Sequence, residues 1–186
     1  MRVLVACEFS GIVRDAFLRR GHDAVSCDLR PTESDGPHIQ KDVRRVLGDG
    51  WDLMIAHPPC TYLAVSGARW FKERKQQQEE ALDFVRKLLG APIHRIALEN
   101  PVSVISTRIA PPDQIIQPFQ FGHIDYKRTC LWLKNLPFLR PTRIVPKGDR
   151  QRAVHNAPQT KDRSKIRSVT YTGIAEAMAD QWGDIE

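Results

Sequence analysis

The sequence predicts a doubly wound, mostly parallel α/β domain, and three observations carry that prediction. Four short runs, Arg2 to Ala6, Ala24 to Cys27, Asp52 to Ala56 and Arg95 to Leu98, are apolar at nearly every position, as strands covered on both faces must be. Segments with helical spacing of apolar residues alternate with them, the pattern of a parallel sheet wrapped by helices. The chemically unusual residues fall at the carboxyl ends of the runs, where open α/β sheets collect their ligands.

Taken in order, Arg2 to Ala6 leads into Glu8-Phe9-Ser10-Gly11. Ile12, Val13, Ala16 and Phe17 then recur at helical spacing, with Arg14, Arg19 and Arg20 predicted on the opposite, outer side and Gly21 as the stop. Ala24 to Cys27 returns as a strand and closes on Asp28, completing a unit of the length of a parallel crossover. The stretch 31–37 is rich in turn formers, and a short helix is expected over Lys41 to Leu47, closed by Gly48 and Gly50. Asp52 to Ala56 runs into His57-Pro58-Pro59-Cys60. A long helix is expected over Trp70 to Leu89, with Ala81, Leu82, Phe84, Val85, Leu88 and Leu89 on its apolar face and Asp83 paired with Lys87. Arg95 to Leu98 leads to Glu99-Asn100-Pro101. Gln114 to Gln120 and Thr129 to Lys134 read as further strands, and Ile174, Met178 and Trp182 stripe a closing helix that starts at Thr172 or Gly173.

With 186 residues, 41% of them hydrophobic and 27% charged, the chain is sized and composed for one well-buried domain spanning 1–186. No apolar run approaches a membrane span and the amino terminus does not read as a signal peptide, so a cytoplasmic, membrane-free protein is expected. Cys7, Cys27, Cys60 and Cys130 form no CxxC pair, which argues against a structural zinc site and against disulfides. The net charge of +6 suggests a polyanionic partner. It concentrates in the irregular segment 140–167, where Arg140, Arg143, Lys147, Arg150, Arg152, Lys161, Arg163, Lys165 and Arg167 face only Asp149 and Asp162. Such a run is either a solvated face or a phosphate-binding surface.

The strand ends suggest the chemistry. A turn holding Ser10 and Gly11 lets backbone approach a ligand at a helix start, and an acid such as Asp28 can accept hydrogen bonds from ribose hydroxyls. Without GxGxxG, the same turn is also compatible with an ordinary βα connection. Two prolines at a strand end fix the backbone and present Cys60 rigidly. A thiolate there can attack an electron-poor ring carbon, although a structural cysteine beside a proline turn fits too. Glu99 ends an apolar strand, where a carboxylate is costly unless partnered. Protonated, it can donate to N3 of a cytosine, which activates C6 toward a thiolate; otherwise it caps the following turn.

HPPC at 57–60 followed by ENP at 99–101 resembles the cytosine-5 DNA methyltransferase family, especially its short phage and prophage members. The resemblance covers most of the chain and implies a Rossmann-like fold that binds S-adenosyl-L-methionine. Phe9, Ser10 and Gly11 look like the family's cofactor loop, Asp28 with Leu29 like its ribose-binding strand end, and Asp42 with Val43 like its adenine contact. Pro58, beside the nucleophile, and Thr172, at the start of the closing helix, are implied as further cofactor contacts. Phe121 to Leu133 is similar to the family's QxRxR segment, so Lys127 and Arg128 stand in for its arginines, in an order the sequence leaves open. Arg14 stands where a third loop glycine is common.

The resemblance implies that Cys60 adds to C6 while Glu99 engages N3 and the exocyclic amino group. C5 then takes a methyl group, a base removes its proton, and the thiolate leaves. DNA, duplex or single-stranded, is the implied partner, with the cytosine flipped out of any duplex and the loop from Thr61 to Lys75 closing over it onto phosphates. The family's separate target-recognition domain is missing; the basic segment 140–167 stands in its place, or a partner protein supplies recognition. A bacterial or phage-infected cytoplasm follows. Two other readings remain: methylation of a free cytosine nucleotide or an RNA, and a catalytically inactive nucleic-acid-binding relative. Methylation of an exocyclic amine fits less well, because those enzymes place an aromatic residue where Cys60 stands.

Overall fold

The computed structural model describes residues 1–151 and 169–185. Seven strands form one sheet: β1 (Arg2–Ala6), β2 (Asp23–Asp28), β3 (His38–Gln40), β4 (Leu53–Ala56), β5 (Arg95–Pro101), β6 (Gln114–Ile116) and β7 (Thr129–Lys134). Their order is β3-β2-β1-β4-β5-β7-β6. The first five are parallel, and β7 runs antiparallel to both its neighbours, β5 and β6. Among the described residues, four helices flank the sheet: α1 (Ile12–Arg19), α2 (Lys75–Leu89), α3 (Ile105–Arg108) and α4 (Thr172–Trp182).

Alternation along the strands sorts the apolar residues into two layers. Val3, Val5, Leu53, Ile55, Ala97 and Leu131 point to one face, where they meet Val13 and Phe17 of α1 and Ile174, Met178 and Trp182 of α4. Leu4, Ala6, Met54, Ala56, Ile96 and Leu98 point to the other, against Leu82, Val85 and Leu88 of α2. Trp182 is fully buried and donates its indole N–H to the Pro137 carbonyl at 3.0 Å, so its polar atom is satisfied. No helix among the described residues is long and apolar enough to cross a membrane.

The structure departs from the sequence expectations where polar or special residues override periodicity. The stretch after 31–37 contains a strand, β3, paired only with the end of β2; three residues are too few to show a period. The helix expected over Lys41 to Leu47 is a single 3-10 turn, Val43–Arg45, with Asp42 accepting from the Arg44 backbone N–H at 3.0 Å. The long helix begins at Lys75, and Val65–Trp70 before it is a separate 3-10 turn. The strand expected over Gln114 to Gln120 stops at Ile116, because Pro118 opens another such turn. Within the basic segment, Arg152 to Arg167 lie outside the described residues.

Arg14 corrects the sequence reading most sharply: it is fully buried, not on the outer side of α1. Its guanidinium donates to Ser26 Oγ and Thr32 Oγ1 at 3.2 Å, to Ser34 Oγ at 2.7 Å and to the Asp35 carbonyl at 3.0 Å, and it pairs with Asp15 at 2.8 Å. One cation thus ties α1 to β2 and to the loop that follows Asp28. Two glycines make room for it. A Cβ at Gly11 (φ +77°) would lie 2.5 Å from Arg14 Nη2, and one at Gly36 (φ +146°) 2.7 Å from Arg14 Cζ. Arg14→Met leaves this polar cage unpaired, and chemical denaturation should show a loss of about 3 kcal/mol or more. An unchanged midpoint and slope would remove the clamp from the fold's energetics.

Candidate active site

Register brings three strand ends into one row. Ala6 pairs with Ala56, and Ala56 with Leu98, so the next residues on the three strands are Cys7, His57 and Glu99. Cys7 turns away with a left-handed φ of 60°, while the His57 N–H still reaches the Ala6 carbonyl at 2.9 Å. β4 stops at Ala56, but β5 continues to Pro101 because β7 supports its other edge, pairing Leu131 with Glu99 and Cys130 with Asn100.

The edge that β4 vacates is occupied by the HPPC segment. His57 Nδ1 lies 2.9 Å from Glu99 Oε2, and Asn100 Nδ2 donates to the Pro58 carbonyl at 2.9 Å. Consecutive residues of ENP therefore hold consecutive residues of HPP, and Cys60 follows two residues after the Pro58 anchor. The Cys60 carbonyl accepts from Leu63 and Ala64 at 3.0 and 2.9 Å. Further on, Val65 N–H bonds the Val102 carbonyl and Val104 N–H the Leu63 carbonyl. The backbone on both sides of Cys60 is thereby tied to the strand that carries Glu99.

The charges are arranged around Glu99. Burial alone would raise its pKa, but the hydrogen bond and charge of His57, the Lys127 cation and the Thr170 hydroxyl (3.4 Å) outweigh it and pull the value down to about 2. Burial would likewise lower the pKa of His57, yet Glu99 and then Glu8 raise it, with Lys127 opposing. Within the pair, each member's charge favours the charged form of the other. Glu8 is buried at the end of β1 and caps α1, accepting from the backbone N–H groups of Val13 (2.7 Å) and Arg14 (3.2 Å). Burial moves its pKa upward despite those bonds and His57.

Two cavities meet at Cys7. The larger, about 280 Å³, is lined by Cys7, Cys27, Asp28, Leu29, Lys41, Asp42, Val43, Arg44, Pro59 and Phe84. The smaller, about 50 Å³, is lined by Cys7, Glu8, Phe9, Ser10, His57, Val169 and Thr170. One is broad and largely apolar, with Asp28 and Asp42 in its lining; the other is small, with Glu8, Ser10, His57 and Thr170 among its lining residues. Burial pushes the Cys7 thiol far up and that of Cys27 to about 11, so both are unreactive wall.

The residues singled out from sequence distribute unevenly over this site. Asp28, Leu29, Asp42 and Val43 line the larger cavity, and Phe9 and Ser10 the smaller. Gly11 lines neither; it makes the turn into α1 and the space for Arg14. Pro58 is buried beneath the site, and Pro59 lines the cavity instead. Thr172 is exposed, its hydroxyl 3.5 Å from His123 Nε2, and Thr170 lines the cavity in its stead. Lys127 is half-buried and acts electrostatically on Glu99 and His57, whereas Arg128 is exposed and acts on Cys130. Sequence reasoning gave no site role to Glu8, His57, Phe84 or Thr170. His57 was reachable, since it and Glu99 each follow a parallel strand by one residue.

The His57–Glu99 pair carries a pH signature. Glu99, depressed, contributes stability above its unfolded pKa of roughly 4.3 that is lost as pH falls toward 2. His57, raised, contributes stability below roughly pH 6.5 that is lost as pH climbs through its folded value. The difference in unfolding free energy between the native chain and Glu99→Gln should therefore be greatest between about pH 4.5 and 6.5. A difference independent of pH across urea titrations would show that the two groups do not share a charge.

No protein-family model matches the chain, and no curated protein sequence matches it. Among solved structures, the Entamoeba histolytica methyltransferase EhMeth is similar, with a TM-score of 0.54 and 14% identity, over 78% of this chain and 57% of that one. The chain thus spans little more than half the length of that protein. At this identity the likeness speaks for architecture alone. The chain has a Rossmann-like methyltransferase fold.

Proposed function

We propose that the chain is an S-adenosylmethionine-dependent methyltransferase acting on carbon 5 of cytosine in DNA, with Cys60 as nucleophile. The observation that carries this reading is the lacing of HPP to ENP, His57 to Glu99 and Pro58 to Asn100. It binds together the two segments that must grip one pyrimidine ring, in a fold shared with a methyltransferase.

The residues fit the cofactor. Asp28 would take the ribose hydroxyls, exposed Leu29 with Val43 and Phe84 the faces of the adenine, and Asp42 its rim. Phe9, Ser10 and Thr170 would hold the amino-acid end beside the start of α1. When bound there, the cofactor supplies an electrophilic methyl group.

This chain's own residues do the rest. Cys60 Sγ bonds to C6 while a proton reaches N3 at Glu99, so the ring's electrons accumulate at C5. Once C5 is methylated, a base takes the C5 proton, the C5–C6 double bond re-forms and the thiolate leaves. Lys127 holds negative charge at Glu99. The loop after Cys60 presents stacked cations: Arg69 lies 5.0 Å over the Trp70 ring, and Arg74 lies 5.6 Å from Trp70 and 5.9 Å from Tyr62. Such pairs suit phosphates and unstacked bases. Arg150, 3.7 Å over Phe119, extends the same chemistry at the start of the segment that follows.

Two measurements test the reading. Incubation with labelled cofactor and a panel of duplex DNA, single-stranded DNA, RNA and deoxycytidylate should yield 5-methylcytosine in DNA by nucleoside mass analysis. Cys60→Ala should reduce it to background while keeping the native circular dichroism; product from that variant would eliminate the covalent route. DNA affinity should also fall about a hundredfold between roughly 50 and 200 mM salt, and Arg74→Ala should lessen the slope by about one. A salt-independent affinity would take these cations out of the interface.

A further inference from the structure

Among the side chains that the family resemblance leaves without a role, His57 is the most deeply engaged with the site. Its ring is bonded at 2.9 Å to Glu99 of β5 and shares the small cavity with Glu8, which follows β1 and whose charge also acts on it. Lys127, just before β7, opposes them. Thr170, from the segment leading into α4, shares the Glu99 oxygen that His57 holds. The other ring nitrogen, Nε2, is buried with no hydrogen-bond partner among the described residues, and the ring forms a wall of the small cavity with Glu8, Ser10 and Thr170. The hydrogen bond and charge of Glu99, and the charge of Glu8, favour the doubly protonated ring against its burial and Lys127. A proton is therefore stored one hydrogen bond from the carboxylate that meets the base.

Resting on the cytosine reading, we propose that His57 is the positioning residue of Glu99, fixing its Oε2 through Nδ1–H and supplying the proton that N3 takes up as Cys60 adds to C6. The step balances. The Sγ–C6 bond forms, the C5–C6 π pair shifts to C4–C5, and the C4–N3 π pair binds the proton at N3. That proton leaves His57 Nδ1 by way of the Glu99 carboxylate, which begins and ends the step ionised, while the imidazolium becomes neutral imidazole. When the thiolate is expelled, the N3 proton returns along the same path. In this arrangement the proton delivered to N3 rests on the His57 ring and passes through Glu99 only during the step.

The test has one arm that needs no turnover. In the full chain labelled with ¹⁵N-histidine, His57 should stay doubly protonated at a pH where His22 and His123, both shifted downward by burial, are neutral. Glu99→Gln should lower the His57 midpoint by about one unit or more. A midpoint indifferent to Glu99→Gln would overturn the shared proton. The second arm uses methyl transfer to DNA. His57→Ala should lower kcat about a hundredfold. His57→Ala should also weaken DNA binding, and His57→Asn, which keeps an N–H donor but no titrating proton, should restore it while leaving kcat low and abolishing the fall in rate at alkaline pH. Native kcat and an unaltered pH profile in His57→Asn would overturn the proposal. If the native chain makes no 5-methylcytosine, the cytosine reading fails and the proton loses its destination, and the spectroscopic arm reports separately whether the pair shares one.

Discussion

The site depends on a strand that outlasts its neighbour. β5 runs three residues beyond the last residue of β4 because β7 supports its far edge, and the vacated near edge is filled by the residues that follow β4. Backbone pairing gives way there to side chains: His57 to Glu99 and Asn100 to the Pro58 carbonyl. Neither proline of the segment can donate a backbone N–H, so the chain cannot extend the sheet and must be held this way. The prolines that prevent β4 from continuing thus also place Cys60 outside the ladder, two residues after the Pro58 carbonyl that Asn100 holds.

Electrostatics and architecture reinforce each other around that edge. Glu99 and His57 would each be costly alone at this depth, and together they form a pair whose members keep each other charged. Glu8, placed by β1, serves two neighbours: it satisfies the first N–H groups of α1 and adds negative potential at His57. Arg14 performs a comparable service on the other side of α1, holding the loop after Asp28 against the sheet. Buried polar contacts thus brace the segments that follow β1, β2 and β4, while the apolar layers on the two faces of the sheet supply the bulk of the burial.

Much of this was legible in the sequence, and the remainder has physical reasons for being hidden. The four parallel strands were readable because burial on both faces leaves an unmistakable apolar run, and the closing helix because Ile174, Met178 and Trp182 share one stripe. The unusual residues at strand ends located the cavities, since Asp28, Leu29, Asp42 and Val43 do line the larger one. β3 escaped notice because three half-exposed residues carry no period. Arg14 escaped because a helical wheel assigns every arginine to solvent, and its cage is assembled from Ser26, Thr32, Ser34 and Asp35, far away in sequence. Thr170 escaped because its meeting with Glu99 depends on the return of the chain before α4, which no local pattern encodes, whereas His57 could have been paired with Glu99 from strand register.

The claim at the centre of this account is a covalent bond between Cys60 and a cytosine held at Glu99, and trapping tests it most directly. DNA in which 5-fluorocytosine replaces cytosine cannot lose a proton from C5 after methylation, so the thiolate cannot be expelled and the adduct persists. The account predicts a protein–DNA species stable to denaturant, dependent on S-adenosylmethionine, whose linked peptide contains Cys60. Attachment at Cys7, Cys27 or Cys130, or methylation of ordinary DNA by a chain that the fluorinated substrate never captures, would contradict it.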